Sequence, residues 1–332
     1  MSATTTGAPT AALDPADVDL STEVAGLLLR GPTMTASGCA AAGAELAPYL
    51  DLAALGAVVT KSVMLAPRSG RPTPRMAETP AGMLNSIGLQ GPGVEAFCAT
   101  DLPALAATGA TAVVSIAGGS VEEFGALAAR LAGEDAVSAI EVNISCPNVA
   151  SRGLVFACDP GASREVLAAV TESARPGVPV LAKLSPDVTD VVAVARACLE
   201  GGASGLTAIN TLLGMVIDPV TLRPQLAGVT GGTSGPAIRP VAVRVVWQLR
   251  AAMLAGALPQ VPVVGAGGVA SGADALQMLS AGASAVQVGT ATFADPTAPA
   301  RVAAELGREL ARRGIARLRD VVGIAHEPVG AR

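Results

Sequence analysis

The chain has 332 residues, 51% of them hydrophobic but only 2% aromatic, so its core must be built from Ala, Val, Leu and Ile rather than large rings. A formal net charge of −5 argues against nucleic acid as a main partner, because phosphate binding needs clustered Lys and Arg. A single histidine, His326, argues against a His-dependent triad and a zinc site, and no metal is expected.

The cysteines are Cys39, Cys98, Cys146, Cys158 and Cys198. Their number is odd and no pair has C-x-x-C spacing, which fits a reduced, cytoplasmic protein. No apolar run approaches the length of a membrane span without Gly, Pro or charge.

Residues 1–18 read as a flexible leader lacking the charge pattern of a signal peptide, and 19–332 as a single domain. The first strand is expected over 33–37, followed by an Ala/Leu-rich helix over 41–55. A second strand over 57–63 runs into a long irregular segment, 65–93. Strand three, 111–117, is followed by a helix over 121–131. Strand four, 139–146, precedes a helix over 162–172. Strand five, 178–184, precedes a helix over 188–199. Strand six, 205–210, opens a second long segment, 211–236, and then a helix over 238–255. Strand seven, 261–265, precedes a helix over 272–279. Strand eight, 284–288, precedes a last helix over 298–313.

Continuous apolar strands alternating with helices predict a parallel sheet covered on both faces. Eight such units predict an α/β fold, a (β/α)₈ TIM barrel, with long loops after strands two and six. An open doubly wound sheet would carry G-x-G-x-x-G after its first strand. Here that strand runs into Ala36-Ser37-Gly38-Cys39 instead.

Barrel enzymes place their chemistry at the C-terminal ends of the strands. Those ends here carry Ser37, Lys61-Ser62, Asn143, Cys146, Lys183 and Asn210. In the fourth strand Ile140, Val142 and Ile144 alternate with Glu141, Asn143 and Ser145, a period of two that Pro147 ends. A lysine among apolar strand residues needs a partner, and the structural alternative to a role in the site is that Lys183 pairs with Glu141 on the adjacent strand and does nothing else. Strands seven and eight end in Gly265-Ala266-Gly267-Gly268 and Gly289-Thr290. Glycines after these two strands let backbone N–H groups approach a phosphate. A phosphorylated group at one edge and a planar polar ligand near Cys146 together describe flavin mononucleotide.

The ordered set of motifs carries a resemblance. Met34-Thr35-Ala36-Ser37-Gly38, Thr60-Lys61-Ser62, Asn85-Ser86-Ile87-Gly88-Leu89, Asn143-Ile144-Ser145-Cys146-Pro147-Asn148, Lys183-Leu184-Ser185-Pro186, Ile209-Asn210-Thr211, Gly265-Ala266-Gly267-Gly268 and Gly289-Thr290 together resemble class 1 dihydroorotate dehydrogenase. The resemblance runs from about residue 27 to 325. It implies an FMN-containing barrel that oxidises (S)-dihydroorotate to orotate in pyrimidine synthesis. Cys146 would then be the base that removes the C5 proton. Lys61, Asn85, Ser86, Ile87, Gly88, Leu89, Asn143, Asn148, Asn210 and Thr211 would bind substrate. Ala36, Ser37, Gly38, Lys61, Ser62, Asn143, Lys183 and Ile209 would line the FMN site. Ser234, Gly235, Gly267, Gly268, Gly289 and Thr290 would complete it. Lys183 would stand by the flavin edge that becomes anionic on reduction.

The segment Lys61 to Gln90 is most similar to the NAD-linked class 1B, which implies a partner subunit carrying FAD and a [2Fe–2S] cluster. A homodimer, or a heterotetramer with that partner, is the implied assembly. The sequence departs from the family pattern at Met64, at Cys39-Ala40-Ala41-Ala42 and in the loop Asn148 to Gly153. The final acceptor (NAD, fumarate or a quinone) stays open. So do a related flavin barrel acting on another dihydropyrimidine, a non-redox phosphate-binding barrel and a silent partner-binding subunit.

Overall fold

The computed structural model describes residues 13–145 and 156–328. Elements follow in chain order as β1 (Thr22–Val24), β2 (Leu27–Leu29), β3 (Thr33–Thr35), β4 (Val58–Val59), β5 (Met76–Thr79) and β6 (Gly82–Asn85). Next come α1 (Val94–Ala96) and α2 (Leu102–Ala107), joined by a π-turn over Phe97–Asp101. β7 (Ala112–Ile116), α3 (Val121–Leu131), β8 (Val137–Asn143), α4 (Pro160–Ser173), β9 (Val180–Leu184), α5 (Val191–Glu200) and β10 (Gly205–Ala208) then alternate. After β11 (Leu212–Gly214) and β12 (Gly231–Ser234) come α6 (Arg239–Leu254), β13 (Val263–Ala266), α7 (Gly272–Ser280) and β14 (Ala285–Val288). The chain closes with α8 (Ala291–Ala294) and α9 (Ala298–Arg312).

One eight-stranded sheet runs β3-β14-β13-β10-β9-β8-β7-β4, with parallel pairing throughout. A parallel bridge between Met34 and Ala57 joins its two ends, so the sheet is a closed (β/α)₈ barrel. Thr35 N–H donates to Ala57 O and Gly56 N–H to Thr33 O along this seam. All eight expected strands are there, and so are six of the seven expected helices.

Helix starts are set by side-chain caps. Ser120, Asp159, Asp190 and Ser271 each accept a first-turn N–H, at α3, α4, α5 and α7. α3 then turns Phe124, Leu127, Ala128 and Leu131 onto the sheet at helical spacing. Two cores result. One lies between the outer sheet face and the helices. The other fills the lower barrel interior with Met34, Ala57, Val59, Val113, Ala139, Leu181, Val264 and Ala285. The β1–β2 hairpin, absent from the sequence reading, stops this end of the barrel with Val24 and Leu29. Of the expected leader, residues 13–18 pack beside α9, with Leu13 N–H donating to Ala311 O.

The expected helix over 41–55 is not formed. The segment is a series of turns with a 3₁₀ turn at Leu52–Ala54. Pro48 lacks the N–H a continuing helix needs. Gly43 turns at φ +96, where a Cβ would meet Leu52 Cδ1 at 2.9 Å. Leu46 and Leu52 still reach the core, so burial prevails over helix propensity here.

The two long segments are not irregular throughout. β5 and β6 come from the first, β11 and β12 from the second. They pair across in one antiparallel sheet, β11-β12-β6-β5.

A Cβ at Gly56 would run into the Gly31 carbonyl oxygen, on the seam that closes the barrel. Gly56→Ala is therefore expected to lower stability by about 1–3 kcal/mol, as overpacking does. Urea unfolding measures it, and an unchanged midpoint would contradict the closed seam.

Candidate active site

The barrel interior changes character along its axis. On β8, Ile140 and Val142 join the outer core, while Ala139, Glu141 and Asn143 face inward. The two-residue period thus places one apolar, one charged and one amide side chain on successive levels. On β9, Leu181 and Lys183 do the same.

The charged level is a closed network. Lys183 Nζ donates to Glu141 Oε1 at 3.2 Å, to Gln287 Oε1 at 3.0 Å and to Ser37 Oγ at 3.2 Å. Glu141 Oε2 accepts from Thr207 Oγ1 at 3.1 Å and from Gln287 Nε2. Glu141 is 0% exposed and Lys183 4%, so neither charge is carried by water. The Lys183–Glu141 pair of the structural alternative is thus formed, inside the barrel, with Lys183 also donating to Ser37.

The amide level lies beyond it along β8. Asn210 Nδ2 donates to Asn143 Oδ1 at 2.9 Å, and Asn143 Nδ2 to Ser62 Oγ at 3.2 Å. Ser62 Oγ also lies 2.9 Å from Ser115 Oγ. Ser145 N–H and Thr211 N–H bond the two asparagines. Ser145 Oγ is buried and finds no partner among the described residues. Lys61 runs past Gly38, where a Cβ would meet its Cδ at 3.6 Å.

The ends of β12, β13 and β14 meet as a glycine rim. Thr290 Oγ1 donates to Ser234 Oγ at 2.8 Å. A Cβ at Gly268 (φ +73) would come 2.9 Å from Gly235 O and 2.6 Å from Arg239 Cβ. A Cβ at Gly289 would meet Ala36 Cβ at 3.0 Å. Ile209 is buried against Gly267, 3.4 Å from the place of a Cβ there. Strand ends one, seven and eight therefore share one edge with Ser234 and Gly235.

The antiparallel sheet ties the substrate-loop candidates to this edge. Asn85 pairs with Gly232 in register, and its Nδ2 donates to Gly232 O at 3.4 Å. Thr211 lies against Gly232 on the same sheet. Ser86 is buried and accepts from Arg71 Nη1 at 3.2 Å. Ile87 O accepts from Arg71 N–H, and Gly88 and Leu89 follow at φ +78 and +59.

Cys146 and Asn148 lie outside the described residues. Every other cysteine is a poor base. Burial pushes Cys39 up to about 11, against the pull of Lys183 and Lys61, and burial likewise pushes Cys98 to about 11 and Cys198 to about 12. Cys158 is raised too, by burial and by Asp187. The sequence reading gave Glu141 only a pairing role and left out Thr207 and Gln287. Their signal was polarity at inward positions of otherwise apolar strands.

A family model described as dihydroorotate dehydrogenase matches residues 19–310. A dihydroorotate dehydrogenase B (NAD(+)) catalytic subunit from Geobacter sp. (strain M21) is 50% identical over 305 residues, 92% of this chain and 97% of that protein. Its counterpart from Desulforudis audaxviator is 50% identical over 307 residues, with the same coverage of both chains. That from Geobacter sulfurreducens is 49% identical over 305 residues, again with the same coverage.

Proposed function

Because this chain belongs to the dihydroorotate dehydrogenase family, we propose that it is the catalytic subunit of an NAD-linked dihydroorotate dehydrogenase, oxidising (S)-dihydroorotate to orotate in pyrimidine synthesis. It is a flavoprotein oxidoreductase, and the flavin is FMN, held within one barrel domain over residues 19–332. What carries the reading is Lys183 next to Ser37, below a linked pair of asparagine amides.

The residues fit a flavin. Gly235, Gly267, Gly268 and Gly289 are packed so closely that a Cβ at any of them would meet neighbouring protein atoms, and beside Thr290 they leave a rim of bare backbone of the kind a phosphate requires. Ala36, Gly38, Ser62 and Ile209 would border the flavin ring when it is bound. Lys183 places a fixed positive charge where negative charge develops. When bound, the flavin supplies the acceptor for the hydride leaving C6 of the substrate.

The chain's own groups do the rest. Asn85, Asn143, Asn148 and Asn210 match a ring of alternating N–H and C=O groups, since each amide donates and accepts. Lys61 pairs with the substrate carboxylate, and the backbone of Ser86 to Leu89 and Thr211 closes around it. Cys146 takes the C5 proton. A thiol suits this, because its unperturbed pKa of about 8.5 is near the working pH.

The protein works in the cytoplasm as a homodimer, joined into a heterotetramer by a subunit with FAD and a [2Fe–2S] cluster. Among the described residues no helix is long and apolar enough to cross a membrane. Anaerobic dihydroorotate is expected to bleach the yellow protein, and dihydrouracil is not. Reoxidation by NAD is expected only with the partner subunit. A colourless protein, or bleaching by dihydrouracil alone, would sink the proposal.

A further inference from the structure

A lysine ammonium has three N–H donors and no acceptor. Lys183 commits two of them inside the barrel, to Glu141 and Gln287, and the third to Ser37 in the proposed flavin site. Gln287 fixes the other two members against each other. Its Oε1 accepts from Lys183 and its Nε2 donates to Glu141, so its amide has one workable orientation. Thr207 adds a further donor to the same carboxylate oxygen. Three donors converge on Glu141, Lys183 Nζ on one oxygen and Thr207 Oγ1 and Gln287 Nε2 on the other, so residue 141 must accept at both ends, as a carboxylate does and an amide does not. Burying two ions is costly all the same. The carboxylate is nonetheless there, fully buried, 3.2 Å from the ammonium.

We infer that Glu141 is a positioning residue whose negative charge holds Lys183 and sets how much of the lysine's positive charge the bound flavin experiences. This role presupposes the flavin-binding proposal above. With Glu141 ionised, the Lys183–Glu141 pair is neutral as a unit, and the ligand beyond Ser37 faces the positive end of a dipole. Without that charge the ligand faces a full cation in a dry site, where electrostatic effects are strong. The reduced, anionic flavin then gains most.

Glu141→Gln in the full-length, flavin-loaded protein tests this by two readouts that do not involve turnover. The two-electron reduction equilibrium of the flavin is expected to become more favourable by about tenfold or more, which is about 30 mV upward. Sulfite addition to the oxidised flavin, which also creates a flavin anion, is expected to tighten in parallel. Glu141→Asp keeps the charge and is expected to leave both readouts near wild type. Thr207→Val, the variant to use if Glu141→Gln does not accumulate, takes a donor off the carboxylate and keeps both charges. It is expected to move the potential downward. A yellow Glu141→Gln protein with unchanged potential and sulfite affinity overturns the assignment. So does an equal upward shift in Glu141→Asp, which would make packing the cause, or a rise in Thr207→Val. A wild-type protein that takes up no flavin overturns the functional proposal along with it, whereas the other failures leave that proposal standing.

Discussion

Replacing Lys183 by methionine is expected to cost about 3–5 kcal/mol of stability, because it strands a fully buried carboxylate. Flavin reduction is expected to slow by about 10²–10³, the usual effect of removing one preorganised group that stabilises developing charge. The two losses have different origins and separate on a second substitution. Adding Glu141→Gln to Lys183→Met removes the stranded charge, so most of the stability should return. The rate should not, because under the proposed function the cation of residue 183 is still missing. Urea unfolding reports the first and rapid anaerobic mixing with dihydroorotate the second. If stability and rate recover together in the double variant, Lys183 is a structural residue and its place in the chemistry is lost.

Cys146→Ala is expected to slow flavin reduction by about 10²–10⁴, the range for a lost general base, with flavin content unchanged. Cys146→Ser is expected to fall between, since a hydroxyl is a far weaker proton acceptor near neutral pH without further help. Cys39 lies nearest the lysines, yet burial keeps its proton in place, up to about 11. A rate within a few-fold of wild type for Cys146→Ala would mean that another group takes the proton, and Cys39→Ala in that background would show whether it is Cys39.

The barrel was legible in the sequence because each strand announces itself locally. A short apolar run such as Val180–Leu184 is buried on both faces and shows it. A pairing of Lys183 with Glu141 could be read from their places on neighbouring strands, although the register sets Lys183 opposite Asn143 and Glu141 opposite Leu181, so the two side chains meet on the diagonal. Thr207 and Gln287 could not be, because they lie two and four strands away from Glu141 and reach it across the barrel interior, beyond any argument from neighbouring strands. Ala41 to Leu55 misled through composition: alanine and leucine suggest a helix, and Pro48 and Gly43 forbid it. The strands of the antiparallel sheet were invisible for the opposite reason. Gly231 and Gly232 have no strand preference of their own. They pair because Thr211, Asn85 and Leu226 leave room only for glycine.

That sheet also constrains when the protein becomes an enzyme. β6 meets β12 only after roughly half of the chain has been made between them, so this pairing has a very high contact order. Closing so large a loop costs entropy that local contacts do not recover. On a ribosome, the barrel's early strands emerge and compact first, while Asn85 waits for Gly232. The face that carries Asn85 and Thr211 is therefore assembled near the end of synthesis, and a nascent chain arrested before β12 should be a compact body in which Asn85 has no Gly232 to pair with.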